Sequence, residues 1–250
     1  MQRFFRGFIT ALQTLTQMPI PCQGSDRMTD SLFWFPVVGA LVGGGVTLIA
    51  WAVGGLGCWP EGAGVLAVVI STWLTRGLHL DGLADAADGL YGGHTQERRL
   101  DIMKDPHVGA FGVMALVLAL AAKIVALSRL SQLEAWSWIP LAFILSRLVQ
   151  VMMAVVLPYA RVEGGKAEAF VKAASVRHFA MAGVMALALS VTIAGWGAIA
   201  PFLLALLFGH GLAWQFKRTF GGVTGDLLGT ASDLTETMLL MTLAFVLPLL

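Results

Sequence analysis

Charge is what this sequence has least of. Asp, Glu, Lys and Arg make up 12% of its 250 residues, where a soluble domain carries about 25%. That shortfall excludes an ordinary wetted surface and makes a bilayer the natural solvent, in keeping with 57% hydrophobic residues and a mean hydropathy of +0.79. The formal net charge is only +1, so nucleic acid is not an expected partner. Cysteine is nearly absent. Cys22 and Cys58 lie far apart, near opposite predicted membrane faces, which argues against a disulfide and leaves no Cys-based metal spacing. The five histidines are scattered and no His-Glu-x-x-His occurs, so the pattern of a zinc enzyme is missing. A cleaved-signal pattern is missing too. Arg3 and Arg6 are followed by apolar residues alternating with Thr and Gln, with no small-residue cleavage site. Residues 1–20 read instead as an amphipathic helix on the cytoplasmic surface.

What is abundant is apolar sequence of spanning length. A hydrocarbon core takes about 20 helical residues, and seven stretches approach this: about 31–53, 62–80, 107–128, 136–158, 179–198, 200–216 and 234–250. The second and sixth are weak or short, and a six-span version would make the sixth or seventh re-entrant. Basic residues fix the direction. Arg3, Arg6 and Arg27 precede the first span, and Arg98, Arg99 and Lys104 occupy the loop 81–106. Arg161, Lys166, Lys172 and Arg177 occupy the loop 159–178, and Lys217 and Arg218 open the last loop. The intervening turns carry Glu61 and Glu134, with Arg129 at one edge. The expected fold is therefore an all-α, polytopic bundle of about seven spans forming one integral membrane domain over 1–250. Residues 1–28 form an interfacial segment, short amphipathic helices lie in the cytoplasm, and the C-terminus is outside. Of the 15 acidic residues, all but Glu61 and Glu134 then fall on the cytoplasmic side.

Within Leu78-His79-Leu80-Asp81-Gly82-Leu83-Ala84-Asp85-Ala86-Ala87-Asp88-Gly89, a helix stacks Asp81, Asp85 and Asp88 on one face. Three ionised carboxylates at about 6 Å repel by a few kcal/mol per pair even at an effective dielectric near 20. Either some are protonated or a cation sits among them, and oxygen ligands select Mg²⁺, Mn²⁺ or Ca²⁺. A solvated helix end would show the same spacing. It is disfavoured here because the cluster adjoins a span in a chain so poor in charge. A second cluster holds Gly221-Gly222-Val223-Thr224-Gly225-Asp226, then Asp233 and Glu236, again at helical spacing. Its glycines suit either tight packing or backbone contact with phosphate, with Lys217 and Arg218 as counter-charges. It is neither a Walker loop nor a dinucleotide fingerprint. Between the clusters, Thr95 can cap a helix that carries Asp101 and Asp105, and Pro106 can end it. Its charges also suit a merely wetted face. Lys123 and Arg147 fall inside apolar stretches, where a cation costs about 2.5–3.5 kcal/mol. Arg147 in particular calls for an internal polar partner, whereas Lys123 can snorkel or pair with an acid. His79 and His107 lie nearest the acids, as satisfied interfacial residues or supports to the site.

The ordered set 78–85 with Asp88-Gly89, then Met103-Lys104-Asp105 with Gly109, then Tyr159-Ala160-Arg161 with Glu163-Gly164, then Gly221-Gly222 with Thr224-Gly225-Asp226 and Leu228-Gly229, resembles the cobalamin synthase family, the adenosylcobinamide-GDP ribazoletransferases. The resemblance covers nearly the whole chain. It implies an integral membrane enzyme of the bacterial inner membrane, with its active site facing the cytoplasm. Such an enzyme joins adenosylcobinamide-GDP to α-ribazole or its 5′-phosphate with release of GMP, and requires Mg²⁺ (Mn²⁺ is the alternative). The chain departs from the family pattern at His107, where many members carry Arg, and at Asp233, where Glu is common.

On this reading Asp81, Asp85 and Asp88 are metal ligands, completed by Asp226, Asp233 and Glu236, while Asp88 or Asp85 takes the proton from the attacking hydroxyl. Substrate contacts are expected from Lys104, Asp105, Arg147, Arg161, Glu163, Lys217, Gly221, Gly222, Thr224 and Gly225. A homo-oligomer is compatible with the sequence. Two other functions compete. A CDP-alcohol phosphotransferase begins its motif as Asp85-Ala86-Ala87-Asp88-Gly89 does, but the required Ala-Arg does not follow. A cation-coupled transporter would place ionisable groups near the midplane of several spans.

Overall fold

The computed structural model describes residues 2–25, 27–57, 59–165 and 167–249, with the side chains of Gln2 and Arg3 outside that description. Expectations resting on Cys58, Lys166 and the Arg3 side chain therefore lie outside the described residues, while Cys22 is an exposed free thiol.

The chain folds as helices throughout, as its apolar periodicity predicts. Helix α1 (Gln2–Leu15) is the amphipathic N-terminal element. It buries Ile9, Ala11 and Leu15, and Phe4 and Phe8 pack on Trp34 with ring centroids 4.6 and 5.1 Å apart. A 3₁₀ turn, Met28–Trp34, leads into α2 (Phe35–Ala50). Then come α3 (Pro60–Leu74), α4 (Leu78–Gly92), α5 (Gln96–Ile102) and α6 (Ala110–Gln132). The chain ends with α7 (Ile139–Val156), α8 (Glu168–Ala173), α9 (Val176–Ala194), α10 (Ile199–Phe220) and α11 (Gly225–Val246).

Among the described residues, six helical segments are long and apolar enough to cross a membrane, and the bent pair α3–α4 supplies a seventh candidate. The hub is α7. Its spanning window is 89% buried within the protein, against 17% for α9, whose sides are left to the surroundings. Gly39 and Gly43 let α2 lie directly on α7, since a Cβ at Gly39 would strike the Phe143 backbone and one at Gly43 would strike Pro140. Small residues four apart allow this approach where helices cannot rely on water to drive them together.

Contacts at the helix ends fix how the chain reverses. Gly54, beyond α2, lies against Ser131 at the end of α6, so these two helices finish on the same side. Gly64 of α3 lies against Ile124 and Ser128, so α3 runs back along α6 from that side. It makes this return in 15 residues, about 22 Å, short for a hydrocarbon core of about 30 Å. The chain then turns by 90° into α4. Arg76 (φ 54°) and Gly77 (φ 65°) both adopt the left-handed conformation at this corner, which is rare for a non-glycine residue. Helix α4 follows this corner, and the loop expected over 81–106 begins within it.

The last span begins at Gly225 rather than near residue 234. Thr224 starts it by accepting a hydrogen bond from the Leu227 amide at 3.2 Å. The acidic turns that follow are tolerated inside the bundle because Asp233 and Glu236 find cations there.

Candidate active site

Helix α4 presents Asp81, Asp85 and Asp88 because these positions recur at one turn, and small residues on its other faces let it sit close to its neighbours. Gly82 is the contact point with α11. A Cβ there would strike the Asp226 backbone. The Thr230 hydroxyl lies 2.8 Å from both the Gly82 and Asp226 carbonyl oxygens and is shared between them. The first turn of α11 is thereby held against α4, and Asp226 joins the α4 acids.

The four carboxylates have different surroundings. Asp81 is exposed and Asp85 half-buried, and neither has a hydrogen-bond or salt-bridge partner among the described residues. Partial burial, followed by the negative charge of Asp226 and Asp81, pushes the Asp85 carboxyl up to about 7 against the opposing Arg161. Asp226 is paired with Arg161, Nη2 to Oδ2 at 2.9 Å. Asp88 has a structural task that its spacing did not announce. Its oxygens accept from the Gly109 and Gly112 amides at 2.7 and 2.8 Å and cap the N-terminus of α6.

The later motifs are bound to one another by backbone. Ala160 N donates to Val223 O and Val223 N to Pro158 O, each at 2.9 Å. Gly222 has no room for a Cβ beside the Pro158 carbonyl. This short parallel bridge fixes Arg161 over the start of α11. Gly221, in the left-handed conformation (φ 75°), ends α10. Lys104 joins Glu163 at 3.0 Å and Asp101 at 3.4 Å. These bonds, that to Glu163 above all, raise the Lys104 ammonium above its ordinary value. Asp105 accepts from the His107 amide and ring, which lowers its carboxyl. Lys217 is exposed and has no side-chain partner among the described residues.

Three expected site residues stand elsewhere. Asp233 and Glu236 both accept from Lys123 of α6, the Glu236 contact at 2.9 Å. Arg147 of α7 reaches Glu236 at 3.4 Å and also bonds the Ser232 and Ser146 hydroxyls. All four charged groups are at most 5% exposed. The structure places Asp233 and Glu236, expected to complete a metal site, and Arg147, expected to bind substrate, together in this buried ion cluster. Apolar surroundings favour matching each charge, and the pairing still leaves Asp233 Oδ2 and Arg147 Nε without a hydrogen-bond partner.

Two contributors escaped the sequence reading. Arg99 ties the end of α10 to the α4–α5 corner through the Thr219 and Gly93 carbonyls at 3.1 and 3.0 Å. Gln150, a lone amide in an otherwise apolar stretch of α7, is 4% exposed. That isolation was the available signal. Gln150 lines a cleft of about 430 Å³ with Asp81 and Asp226 at its polar end and Leu15, Leu32, Phe35 and Phe170 on its walls.

Among the described residues, no three His, Cys, Asp or Glu side chains converge to hold a metal ion. A closed protein cage is therefore absent from this arrangement. The unpartnered Asp81 and Asp85 beside Asp226 instead fit an open site for Mg²⁺, which binds through one or two carboxylates and completes its shell with waters and substrate phosphates.

The profile of the family described as cobalamin-5-phosphate synthase matches residues 7–244, which span every candidate site residue named above. The chain belongs to that family. An adenosylcobinamide-GDP ribazoletransferase of Chlorobaculum tepidum is 47% identical over 92% of this chain and 91% of its own length. Its namesake from Chlorobaculum parvum is 46% identical over the same shares. A more distant one, from Syntrophobacter fumaroxidans, is 38% identical over 93% of this chain and 96% of its own. No solved structure matches the chain.

Proposed function

We propose that this protein is a Mg²⁺-dependent transferase that joins adenosylcobinamide-GDP to α-ribazole, or to its 5′-phosphate, and releases GMP. It works in the bacterial inner membrane with the site facing the cytoplasm. The observation that carries this reading is the pair of unpartnered carboxylates, Asp81 and Asp85, beside the Arg161–Asp226 ion pair, in a chain whose relatives bear the name of that reaction. The basic residues of the loops 81–106 and 159–178 support an orientation with this end of the bundle inside.

In the reaction, a ribose hydroxyl oxygen of the acceptor forms a bond to the phosphorus that bears the cobinamide. The bond from that phosphorus to the GMP oxygen breaks, and GMP leaves. The difficulty is electrostatic, because an electron-rich oxygen approaches a charged pyrophosphate. Asp81 and Asp226 would hold Mg²⁺, which when bound neutralises charge on the phosphoryl oxygens. Asp85 Oδ takes the proton from the attacking hydroxyl. Arg161 keeps Asp226 oriented and presents positive charge to the pyrophosphate, and Lys217 is the free ammonium for its outer oxygens.

Incubating the purified protein with adenosylcobinamide-GDP, α-ribazole and Mg²⁺ should yield equimolar GMP and a complete corrinoid. Absence of GMP from folded, monodisperse protein would overturn the assignment.

A further inference from the structure

Helix α10 exposes a polar group to the one solvent that cannot satisfy it. The span that contains α10 is only 28% buried within the protein. Its outer ridge runs through Leu203, Leu207, His210 and Trp214, three or four residues apart and all exposed. None of these residues lines the acidic cleft. His210 stands eleven residues after Ile199 and eight before Arg218, about 17 and 12 Å along the axis. That is well inside a hydrocarbon core of about 30 Å, too deep for so short a side chain to reach either surface. Its Nδ1 lies 3.2 Å from the Leu206 carbonyl oxygen. A carbonyl only accepts, so Nδ1 carries the proton and Nε2 of the neutral ring is an acceptor. One turn on, Trp214 has the reciprocal need. The Arg218 guanidinium lies 5.4 Å from its ring centroid, while the indole Nε1–H can only donate. Neither His210 Nε2 nor Trp214 Nε1 has a hydrogen-bond partner among the described residues. Beside them Gly211 is exposed too, and a Cβ there would meet nothing within 4 Å.

We infer that this ridge packs against the same ridge of a second copy of the chain, the Trp214 indole of each copy donating to His210 Nε2 of the other. Copies inserted in one bilayer share an orientation, so a two-fold axis along the membrane normal sets α10 beside α10 at equal depth. Such an interface must be self-complementary. The ridge meets that requirement, because its acceptor and its donor lie one turn apart and the two-fold axis closes two equivalent bonds. Gly211 removes the side chain that would hold the backbones apart, and polar contacts between spans then add to the packing. A lipid chain could cover the same face, but it carries neither a donor for His210 nor an acceptor for Trp214. A different membrane protein would have to supply the reciprocal pair that a second α10 already has. The inference needs only that α10 spans the bilayer, and it does not rest on the transferase reading.

Two measurements on the full-length chain test this. In a background carrying Cys22→Ser and Cys58→Ser, Leu207→Cys should be oxidised in membranes to a covalent dimer. Val184→Cys, on a side of α9 that is 72% exposed, should not be. Single-molecule photobleaching in liposomes at a series of protein-to-lipid ratios then gives the dimer dissociation constant. Gly211→Leu, for which one copy alone has room, should raise that constant about tenfold. His210→Leu and Trp214→Phe should each raise it several-fold. The double variant should do little more than either single one, since both remove the same two bonds. His210→Leu carries the test if Gly211→Leu fails to extract as a folded protein. A wild-type chain that stays monomeric at every ratio overturns the inference. So does a dimer that His210→Leu leaves unchanged or strengthens, or a Leu207→Cys chain that crosslinks only to a different protein.

Discussion

Arg161 and Asp226, separated by 65 positions in the chain, meet at 2.9 Å. The pair is where the loop after α7, the first turn of α11 and the α4 carboxylates come together. Its guanidinium is also the positive charge that opposes the elevation of Asp85. Replacing Arg161 by Ala should lower GMP release on the order of 10²-fold, the scale seen when one transition-state donor is removed. Arg161→Lys should recover part of the rate, because charge is kept but the planar fork is lost. Equal rates for the two variants would argue against a charge role.

The division of labour on α4 separates activity from stability. Asp85→Asn should abolish turnover while leaving the thermal midpoint in detergent unchanged. Asp88→Ala should instead lower stability by about 1–2 kcal/mol through loss of the α6 cap. Thermal unfolding of both variants, read beside GMP release, checks the assignment.

Asp85 also gives the reaction a pH dependence with a defined sign. Its folded value is raised to about 7, so below that pH the carboxyl is protonated and cannot accept the substrate proton. At limiting Mg²⁺, kcat/KM should fall about tenfold per pH unit below this value. A bound cation favours the ionised form, so the acidic limb should move to lower pH as Mg²⁺ is raised. Rate profiles at several Mg²⁺ concentrations test this, and a limb that stays fixed would remove Asp85 from the metal's vicinity.

The buried ion cluster should behave as structure. Lys123→Met leaves Asp233 and Glu236 with less counter-charge in the bundle and should cost about 3–5 kcal/mol, seen as aggregation or a lowered thermal midpoint. Adding Asp233→Asn to Lys123→Met should restore part of the loss. Asp233→Asn by itself should change stability more than it changes the Mg²⁺ concentration needed for half-maximal rate.

Chelation tests the metal directly. EDTA should stop GMP release without unfolding the protein, since no closed metal cage holds the described residues together. Mg²⁺ should restore activity, with Mn²⁺ as the alternative ion.

Much of the bundle was legible because lipid solvent leaves a plain record. Apolar runs of spanning length mark most of the helices, and Thr95, with the Arg98 amide at 3.2 Å from its hydroxyl, begins α5 where a capping residue should. The spacing of Asp81, Asp85 and Asp88 announced a shared helical face. It did not announce that Asp88 would be occupied by Gly109 and Gly112, 21 and 24 residues on. Nor did identical helical spacing distinguish Asp226, which joins the α4 acids, from Asp233, whose partner Lys123 lies 110 residues away.

By itself the sequence determined the class of fold, the end of the bundle where acids collect and the motifs shared with a family, because hydropathy, helical period and motif order are local properties of the chain. Tertiary structure decided which carboxylates are free. A charge in an apolar bundle pairs with whichever counter-charge the packing brings near. Helix packing gave Lys123 and Arg147 to Asp233 and Glu236, gave the start of α6 to Asp88, and left Asp81 and Asp85 open beside a cleft built from six separate helices.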